Sequence, residues 1–339
     1  MKNSFSFISL TYNHQKYIIE HLESIKYLVL TYADELDVDL IINDDASSDL
    51  TTFLIDEWIS KNIKLFRHVK KNYNKVNIGT VASLCNIIKL NEAERWKIGA
   101  ADDVYSYENI FENTIHDDQT AFLSGFPLYI YDGELQSKII SDLLVISTQE
   151  VYKRKSLLYR FKHTSFNNAP SMTYSMKCFN NSKVIEYVSK FKIVEDWPLQ
   201  LAISKEYSDY KFKLVYKIFT YYRKTSGSAY YVFNEKFNTD IDKVYEDLIS
   251  TETNWIEKFR LKNRRFCYHS NNIFIKRMLN IDYYIFLISS FLLSFSILNR
   301  YLNFDIDFVK HKQHQNNIKN LSDTFLLGVK NIEHKLAKN

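Results

Sequence analysis

The first hundred residues alternate between short apolar segments and amphipathic segments, and polar turns follow three of the apolar ones. This alternation is typical of βαβ units, in which helices connect the parallel strands of one sheet. Ligands of such sheets bind beyond the carboxyl ends of the strands, so we expect the turns at 11–14, 44–49 and 102–103 to meet at one edge. The predicted strands are 5–10, 38–43, 64–69 and 96–100, and the predicted helices are 17–32, 50–60 and 79–90.

Glycine is scarce, with six residues in a chain of 339. No two glycines have the spacing of a dinucleotide-binding fingerprint or of a phosphate-binding loop. Neither a Rossmann dehydrogenase nor a P-loop ATPase is therefore expected. If the protein binds a nucleotide, it does so by means other than a glycine-rich turn.

The three cysteines, Cys85, Cys178 and Cys267, lie far apart and form no CxxC motif. Because no HExxH sequence accompanies them, neither a zinc site nor a disulfide framework is expected. The opening residues also lack the pattern of a signal peptide. These features predict a reducing, intracellular environment, and we expect a cytoplasmic protein that works at the inner face of the cell membrane.

The rest of the chain divides into two regions of different character. Residues 106–230 are less regular, whereas the pattern after residue 230 is helical and basic. Residues 256–339 carry 14 Lys+Arg and 6 Asp+Glu, and the preceding residues carry 30 and 34, so local charges of +8 and −4 result. An acidic front and a basic rear indicate different partners for the two regions.

Within residues 106–230, the predicted strands are 121–131, 138–147 and 214–222, and the predicted helices are 184–191 and 198–205.

Two pairs of aspartates follow predicted strands. Asp44 and Asp45 begin a turn that also contains two serines, and Asp102 and Asp103 follow the fourth strand. The first pair can accept hydrogen bonds from a base or a ribose, although a helix cap explains it equally well. The second pair offers hard oxygen ligands for Mg²⁺ or Mn²⁺, but ordinary solvated turns have the same composition.

Two later segments carry charges in patterns that suit catalysis. Glu195 and Asp196 precede Pro198 at the start of a predicted helix, so they are either common helix-start residues or a general base held there. Arg223 and Lys224 lie beside small hydroxyl residues. That combination suits a diphosphate and also occurs in ordinary basic loops.

Taken in chain order, these segments resemble the family 2 inverting glycosyltransferases of the GT-A fold. The resemblance covers residues 4–230, and its specificity lies in the order and spacing of several motifs. The matching segments are Ser6 to His14 for the first strand and its TYN turn, Ile42 to Asp49 for the DDxSxD turn, Asn77-Ile78-Gly79 for N-x-G, Ile98 to Asp103 for the metal-binding DxD, Asn168-Ala169-Pro170-Ser171 for an acceptor-side loop, Glu195-Asp196-Trp197 for the ED motif, and Tyr222-Arg223 for the YR segment.

The resemblance implies an α/β GT-A domain with a nucleotide-sugar-binding half, 1–105, and an acceptor-binding and catalytic half, 106–230. A helical, basic C-terminal extension, 231–339, follows. The implied roles are general base for Asp196 with support from Glu195; ligands of Mn²⁺ or Mg²⁺ for Asp103 and Asp102; donor binding for Thr11, Tyr12, Asn13, Asp44, Asp45, Asn77, Gly79, Asp102 and Arg223; and acceptor binding for Asn168, Pro170, Ser171 and Trp197.

The sequence departs from the family pattern at two positions. Ala100 stands where the family often has a further acid, and Thr225 stands where a histidine often follows the arginine. There is no QxxRW motif, the signature of processive synthases, so a single sugar addition is expected.

The expected function is that of a hexosyltransferase. It moves a sugar, with inversion, from a nucleotide-diphosphate donor such as a UDP-sugar to a hydroxyl of a glycan or lipid-linked acceptor in cell-surface polysaccharide biosynthesis. Two alternatives stay open. One is a non-catalytic relative that binds nucleotide-sugars or serves as a scaffold in polysaccharide assembly, which Ala100 favours. The other is a sugar nucleotidyltransferase, although that class usually has a glycine-rich loop after its first strand.

Residues 283–298 form an uncharged run of 16 residues with four serines. As a helix it would span about 24 Å. A bilayer core needs about 20 apolar residues, so a buried core helix is the simpler interpretation. Lys276, Arg277 and Arg300 flank the run and favour a peripheral membrane contact through 276–300, which suits a lipid-linked acceptor. Nucleic-acid binding is not expected, because the basic excess is modest and no recognised module is present.

Overall fold

A computed structural model describes residues 3–112, 119–179, 181–224, 235–270 and 272–336. The strands are β1 (Ser4–Thr11), β2 (Asp37–Asp44), β3 (His68–Tyr73), β4 (Arg95–Ala100), β5 (Val104–Tyr105), β6 (Thr120–Tyr131), β7 (Glu134–Gln136), β8 (Met172–Ser175) and β9 (Lys211–Arg223). The helices are α1 (Ile18–Tyr32), α2 (Thr51–Asn62), α3 (Thr80–Ile88), α4 (Ile139–Tyr152), α5 (Leu157–Lys162), α6 (Met176–Phe179), α7 (Ser182–Val188), α8 (Asp196–Glu206), α9 (Glu235–Thr251), α10 (Trp255–His269), α11 (Ile273–Met278), α12 (Ile281–Leu292), α13 (Ser294–Leu302) and α14 (Phe308–Leu336). Short 3₁₀ turns, Ile63–Leu65 and Ala169–Ser171, precede β3 and β8.

The front half of the molecule is a parallel sheet in the order β3–β2–β1–β4. Ser9 of β1 pairs with Ile42 of β2 and with Gly99 of β4. Because all three strands run in the same direction in this register, their carboxyl ends reach the same edge of the sheet. The parallel arrangement predicted from the alternation of strands and helices is confirmed for this half.

The remaining strands make the sheet mixed. β8 pairs antiparallel with both β4 and β6, β9 runs parallel to β6, and β5 pairs antiparallel with the end of β9. In the last of these pairings, Val104 lies opposite Tyr221. The turn that follows β4 is thereby held against the final residues of β9, which come from a distant part of the chain.

Helices cover both faces of the front sheet, and this explains the continuous apolar run in β2. Leu40 and Ile42 pack in the cluster formed with α1 and α2, whereas Ile41 packs in the cluster formed with α3, α7 and α8. A strand that is buried on both faces has no solvated side and therefore shows no polar alternation. This double burial fixes the strands whose ends carry the polar turns.

Two predicted strands differ from the structure. The strand predicted at 138–147 is wrong, because this segment belongs to α4. Its buried side chains include Asp142, Val145 and Ile146, which recur at helical spacing, so the preference of β-branched residues for strands is overridden by packing. The strand predicted at 64–69 is displaced, since a 3₁₀ turn ends α2 and β3 begins after it.

The C-terminal region is helical from α9 to α14, as expected. Its uncharged run is not one helix: α12 and α13 meet at a bend of 70°. Within the residues that the structure describes, no single helix is long and apolar enough to cross a membrane. The bent pair α12–α13 reaches the length and mean hydropathy of a membrane span only when its two helices are counted together. The predicted boundaries at 105 and 230 stay predictions, and Thr225 lies outside the described residues.

Candidate active site

A cleft with a volume of about 410 Å³ opens where β1, β2 and β4 end. Its walls come from α3, the turn before β8, the start of α8 and the end of β9. The polar and ionisable side chains that line it are Thr11, Tyr12, His14, Asn43, Asp45, Thr80, Ser83, Asp102, Asp103, Tyr174, Glu195, Asp196, Tyr222 and Arg223.

Hydrogen bonds join the turn after β1 to the turn after β2. The backbone N–H of Asn13 donates to Ser47 Oγ at 2.7 Å, and the N–H of Ser48 donates to Asn13 Oδ1 at 2.9 Å. Asp44 is buried and accepts from the N–H of Ser47 at 2.8 Å. Asn13 has a φ of 55°, in the left-handed region that asparagine tolerates. Asn13 and Asp44 thus shape the two turns at the edge of the cleft.

Asp45 connects the end of β2 to the N-terminus of α3. Its Oδ1 accepts from the N–H of Ile78 at 2.8 Å, and its Oδ2 accepts from the N–H of Gly79 at 2.9 Å. Gly79 has a φ of 89°, and a Cβ there would lie 3.2 Å from the carbonyl oxygen of Lys192. Asp45 also lines the cleft. It does not cap α2, the helix that follows its own turn, because Asp49 accepts from the N–H of Thr51 there at 3.0 Å.

The aspartate pair after β4 is held by the last residue of β9. Asp103 is buried, and its Oδ1 accepts from the backbone N–H of Arg223 at 2.9 Å. The Nε of Arg223 donates to the Asp102 carbonyl oxygen at 2.8 Å, and its Nη2 donates to Glu20 Oε2 at 2.7 Å. Burial, followed by the charge of Asp102, raises the pKa of Asp103. Arg223 therefore positions the aspartate pair in addition to lining the cleft.

A buried lysine that the sequence did not single out lies near this pair. Lys97 belongs to β4, and its Nζ donates to the carbonyl oxygens of Ile98 at 2.7 Å and Pro170 at 2.6 Å. Burial lowers the pKa of Lys97 to about 7, and the charge of Asp103 opposes that shift. Lys97 thus connects β4 to the turn before β8. The available signal was a lysine inside an apolar strand, directly after Trp96.

Glu195 and Asp196 form another wall of the cleft, at the N-terminus of α8. The Oδ1 of Asp196 accepts from the N–H of Trp197 at 2.7 Å. Burial raises the pKa of Glu195 to about 8, and the charge of Asp196 adds to the shift. Burial also raises the pKa of Asp196, against the Trp197 hydrogen bond. A carboxyl group whose pKa moves toward neutrality is well suited to accept a proton during a reaction.

The predicted acceptor-side residues occupy different places. Pro170 lines the cleft, whereas Asn168 and Ser171 are buried in the same turn. The indole Nε1 of Trp197 donates to the carbonyl oxygen of Phe161 at 2.8 Å. Trp197 therefore lies against α5, and the acceptor roles of these four residues stay predictions.

The predicted site residues fall into two groups. Those that line the cleft are Thr11, Tyr12, Asp45, Asp102, Asp103, Pro170, Glu195, Asp196 and Arg223. Those outside its lining, as far as the described residues show, are Asn13, Asp44, Asn77, Gly79, Asn168, Ser171 and Trp197. The cleft also contains Tyr174, whose ring stacks on that of Trp96 with 4.5 Å between the ring centroids. The sequence around Tyr174 in β8 does not distinguish it from a core tyrosine.

Asp102 and Asp103 are the residues that could hold a divalent cation. Carboxylate oxygens are hard donors of the kind that Mg²⁺ and Mn²⁺ prefer. The described part of the chain contains no group of three or more His, Cys, Asp or Glu side chains that could hold a metal ion, and Ala100 adds no further acid. A cation held by these two carboxylates would take its remaining ligands from substrate oxygens.

Comparison with known structures shows a shared fold at low sequence identity. A crystal structure of S. aureus TarS 1–349 in complex with UDP-GlcNAc matches 96% of this chain and 92% of that chain, with a TM-score of 0.55 and 15% identity. The mannosyltransferase PcManGT from Pyrobaculum calidifontis, in complex with GDP-Man and Mn²⁺, matches 95% and 86%, with a TM-score of 0.52 and 12% identity. The expected GT-A class with a helical C-terminal extension is confirmed.

Sequence comparison gives a narrower match. Uncharacterized proteins of Mycobacterium bovis and Mycobacterium tuberculosis are 30% identical over 101 residues, which is 30% of this chain and 27% of each relative. The match thus spans about a quarter of the length of these curated relatives. The chain matches no protein-family model.

Proposed function

We propose that this protein is a glycosyltransferase that moves a sugar from a nucleoside diphosphate to a hydroxyl group of a glycan or lipid-linked acceptor. The observation that carries the proposal is one cleft in which two carboxyl pairs, Asp102–Asp103 and Glu195–Asp196, meet Arg223. The three segments are distant in sequence and converge at the carboxyl edge of a parallel sheet. They supply oxygen ligands, a proton acceptor and a fixed cation, which are the groups that this reaction needs.

Proteins of the same fold support the class of donor. TarS has been solved with UDP and with UDP-GlcNAc, and PcManGT with GDP-Man and Mn²⁺. A UDP-sugar is the donor that we propose here, bound by the turns that end β1 and β2. Thr11, Tyr12 and Asp45 line this part of the cleft, and Asn13 and Asp44 hold its two turns together.

Asp196 is the proposed general base. One of its oxygens accepts from the N–H of Trp197, and burial raises its pKa toward the range in which a base works near neutral pH. In the proposed step, Asp196 takes the proton of the acceptor hydroxyl while that oxygen attacks the anomeric carbon. The bond from this carbon to the diphosphate oxygen breaks, and the nucleoside diphosphate leaves. A single displacement of this kind inverts the configuration.

Asp102 and Asp103 are proposed to hold Mn²⁺ or Mg²⁺. When bound, such an ion stabilises negative charge on the phosphate oxygens. Arg223 lines the same part of the cleft, and we propose that it adds a fixed positive charge toward the leaving diphosphate. Its bonds to Glu20 and to the Asp102 carbonyl hold it in one orientation.

The finer assignment rests on the sequence resemblance. It includes transfer of a hexose, a single addition rather than polymerisation, and a role in cell-surface polysaccharide biosynthesis. One observation favours a second candidate, a non-catalytic protein that binds nucleotide-sugars in an assembly complex. Ala100 lines the cleft where a further acid would complete the cation site.

The first experiment measures binding of nucleotide-sugars by thermal shift, with and without Mn²⁺. A ligand that binds the folded state raises the melting temperature, and we expect UDP-sugars to do so more strongly when Mn²⁺ is present. Asp102→Asn should remove the Mn²⁺-dependent part of the shift. Asp209→Asn is the matched control, because Asp209 is exposed and lies outside the lining of the cleft.

The second experiment separates the two candidate functions. Purified protein is incubated with the UDP-sugar that binds best, and the release of UDP is measured with and without added acceptor glycans. Release of UDP by wild type that Asp196→Asn abolishes supports the transferase. Metal-dependent binding without any turnover would favour the non-catalytic candidate, and the absence of nucleotide-sugar binding would reject both.

A further inference from the structure

The bent pair α12–α13 exposes an unusual number of large apolar side chains. Phe295 is 86% exposed, Leu302 is 79% exposed, and Phe291 and Leu292 are each 77% exposed. Exposed apolar residues of this size normally occur singly on a soluble surface. The others in this segment and the adjoining α11 are Phe274, Met278, Leu279, Ile281, Ile285, Leu287, Ile288 and Leu298.

Two serines of α12 form hydrogen bonds within their own helix. The hydroxyl of Ser289 donates to the Ile285 carbonyl oxygen at 2.8 Å, and that of Ser290 donates to the Phe286 carbonyl oxygen at 2.8 Å. Hydroxyls bonded in this way do not need water as a partner. The Ser289 and Ser290 hydroxyls thus add no unsatisfied donor if the outer face of α12 enters an apolar medium.

Two buried carboxylates hold the inner side of the pair against the rest of the protein. Asp282, in the first turn of α12, accepts from Thr164 Oγ1 at 2.7 Å and lies 2.9 Å from His163 Nδ1. Glu150 of α4 accepts from Ser296 Oγ at 2.8 Å. Both carboxylates are almost fully buried. These bonds fix α12 and α13 to the folded domain, so the exposed apolar face is presented by a rigid element rather than by a loose tail.

Most of the exposed charges around the apolar face are basic. Lys276 and Arg300 are exposed in α11 and α13, although Arg300 also pairs with the buried Glu150. Lys153, Arg154 and Lys155 are exposed just beyond the end of α4, whose last residue packs on α12. Two exposed acids, Asp305 and Asp307, follow α13. Anionic lipids attract such a surface, whereas a protein interface of this chain with itself would bring like charges together.

We propose that the α12–α13 pair docks on the surface of a bilayer that contains anionic lipids, with its outer apolar face immersed. The 70° bend and the short helices make it a surface wedge, since a helix of twelve residues is about 18 Å long. An interfacial helix buries its apolar side to the depth of the acyl chain boundary and is held there by apolar area and by basic residues together.

The test is co-flotation of the full-length protein with vesicles of phosphatidylcholine, with and without phosphatidylglycerol. Wild type should float with the anionic vesicles at low salt and float less at high salt. The double variant Phe291→Asp/Phe295→Asp should bind at least about a hundredfold more weakly, because two phenylalanines lose their burial. Lys276→Glu should cost about 30-fold at low salt, because it removes one positive charge and adds one negative charge at an anionic surface.

Matched controls separate docking from folding and from activity. Leu30→Asp introduces the same charge at a residue that is 58% exposed on α1, and Lys64→Glu reverses an exposed charge in the front half. Both should float as wild type does. All variants should keep the melting temperature and the UDP-sugar thermal shift, so loss of flotation is distinct from failure of the proposed function. The proposal is overturned if the phenylalanine variant floats like wild type, or if wild type does not float with the anionic vesicles. In the second case, a dimer that the double variant converts to a monomer would identify a second copy of this chain as the occupant of the apolar face.

Discussion

The cleft contains two pairs of neighbouring carboxyl groups whose surroundings differ. The backbone N–H of Arg223 donates to Asp103, and this hydrogen bond opposes the rise in pKa that burial imposes on Asp103. The positive charges of Lys97 and Arg223 oppose the same rise. Among the described residues, no cationic side chain contributes to the pKa shifts of Glu195 and Asp196. Burial raises both pKa values, and the charge of Asp196 adds to the shift of Glu195.

Position in the fold, rather than residue type, gives the two pairs their different electrostatic surroundings, and the proposed division of roles follows from that difference. Burial raises the pKa of Asp103 as well, but fixed cations beside an acid favour its ionised form, and a bound divalent cation would add to that effect. The first pair is therefore the one suited to bind a cation that bridges to phosphate. Acids that are buried without such partners take up a proton more readily, which is what a general base must do. The substitutions below test whether the two pairs are separable in this way.

The largest effect is expected at Asp196. Asp196→Asn should lower kcat by about 10²–10⁴-fold, because general-base catalysis is typically worth that much. Binding of the UDP-sugar should be unchanged, since the donor is proposed to bind at the other pair. Steady-state kinetics gives kcat, and a calorimetric titration gives the donor Kd.

The exposed Asp209→Asn variant is the control for the Asp196 measurement, and it should match wild type in both quantities. If Asp196→Asn keeps full turnover, Asp196 is not the base. If it loses donor binding as strongly as turnover, the two carboxyl pairs do not have separate tasks.

The next effect is expected at Asp103. Asp103→Asn keeps an oxygen that can accept from the N–H of Arg223, so the turn should stay folded. It removes a charged ligand, and the loss of a charged hydrogen-bonding group costs about 10- to 100-fold in affinity. Titration of UDP at increasing Mn²⁺ concentrations should show this loss in the metal-dependent part of binding. An unchanged Mn²⁺ dependence would show that this pair does not hold the cation.

The sequence was sufficient to predict the front half of the fold and the acidic turns. Strand ends in a parallel sheet must meet at one edge, so the turns that contain Asp45 and Asp102 could be placed together before any coordinates were known. The pattern at Glu195 and Asp196 needed the family resemblance, because a helix start explains the same residues equally well.

The parts that could not be predicted depend on contacts between distant segments. Lys97 reaches the Pro170 carbonyl only because β8 lies beside β4, and the bonds of Arg223 to Glu20 and to Asp102 join opposite ends of the domain. The helix at α4 was missed for a related reason. Its apolar side chains are β-branched in part, and only packing decides between strand and helix for such a run.

A smaller effect is expected from Glu195→Gln, which removes one carboxyl of the second pair. Because the base works in its ionised form, activity should fall as the pH falls. The midpoint of this acid limb of the pH–rate profile gives an apparent pKa of the Glu195–Asp196 pair. Without the neighbouring carboxyl, the limb should move to lower pH. The pKa of Glu195 is raised to about 8 in the folded protein, so between about pH 4.5 and 8 the folded protein binds more protons at Glu195 than the unfolded chain does. Wild type therefore loses stability relative to Glu195→Gln as the pH rises through this window.

The two readouts for Glu195 are pH–rate profiles and urea unfolding at several pH values. Asp196 is still present in the variant, so some turnover should persist. An acid limb at the wild-type position would mean that Glu195 does not influence the base. A stability difference that does not change with pH would mean that Glu195 is ionised in the folded protein at neutral pH.

The smallest effect is expected at Lys97, the buried cation near the first pair. Its pKa is lowered to about 7, so between about pH 7 and 10.5 the unfolded chain binds more protons at this residue than the folded protein does. This residue therefore makes the free energy of unfolding rise with pH in that window, by at most about 1.4 kcal/mol per pH unit. Lys97→Met removes the titrating group, so the stability of wild type relative to this variant should increase from pH 7 to 10. Urea unfolding measures it, with the exposed Lys64→Met as the control. A parallel pH dependence of the free energy of unfolding in wild type and Lys97→Met would show that Lys97 stays charged in the folded state. The first carboxyl pair would then have a full positive charge near it despite the burial of Lys97.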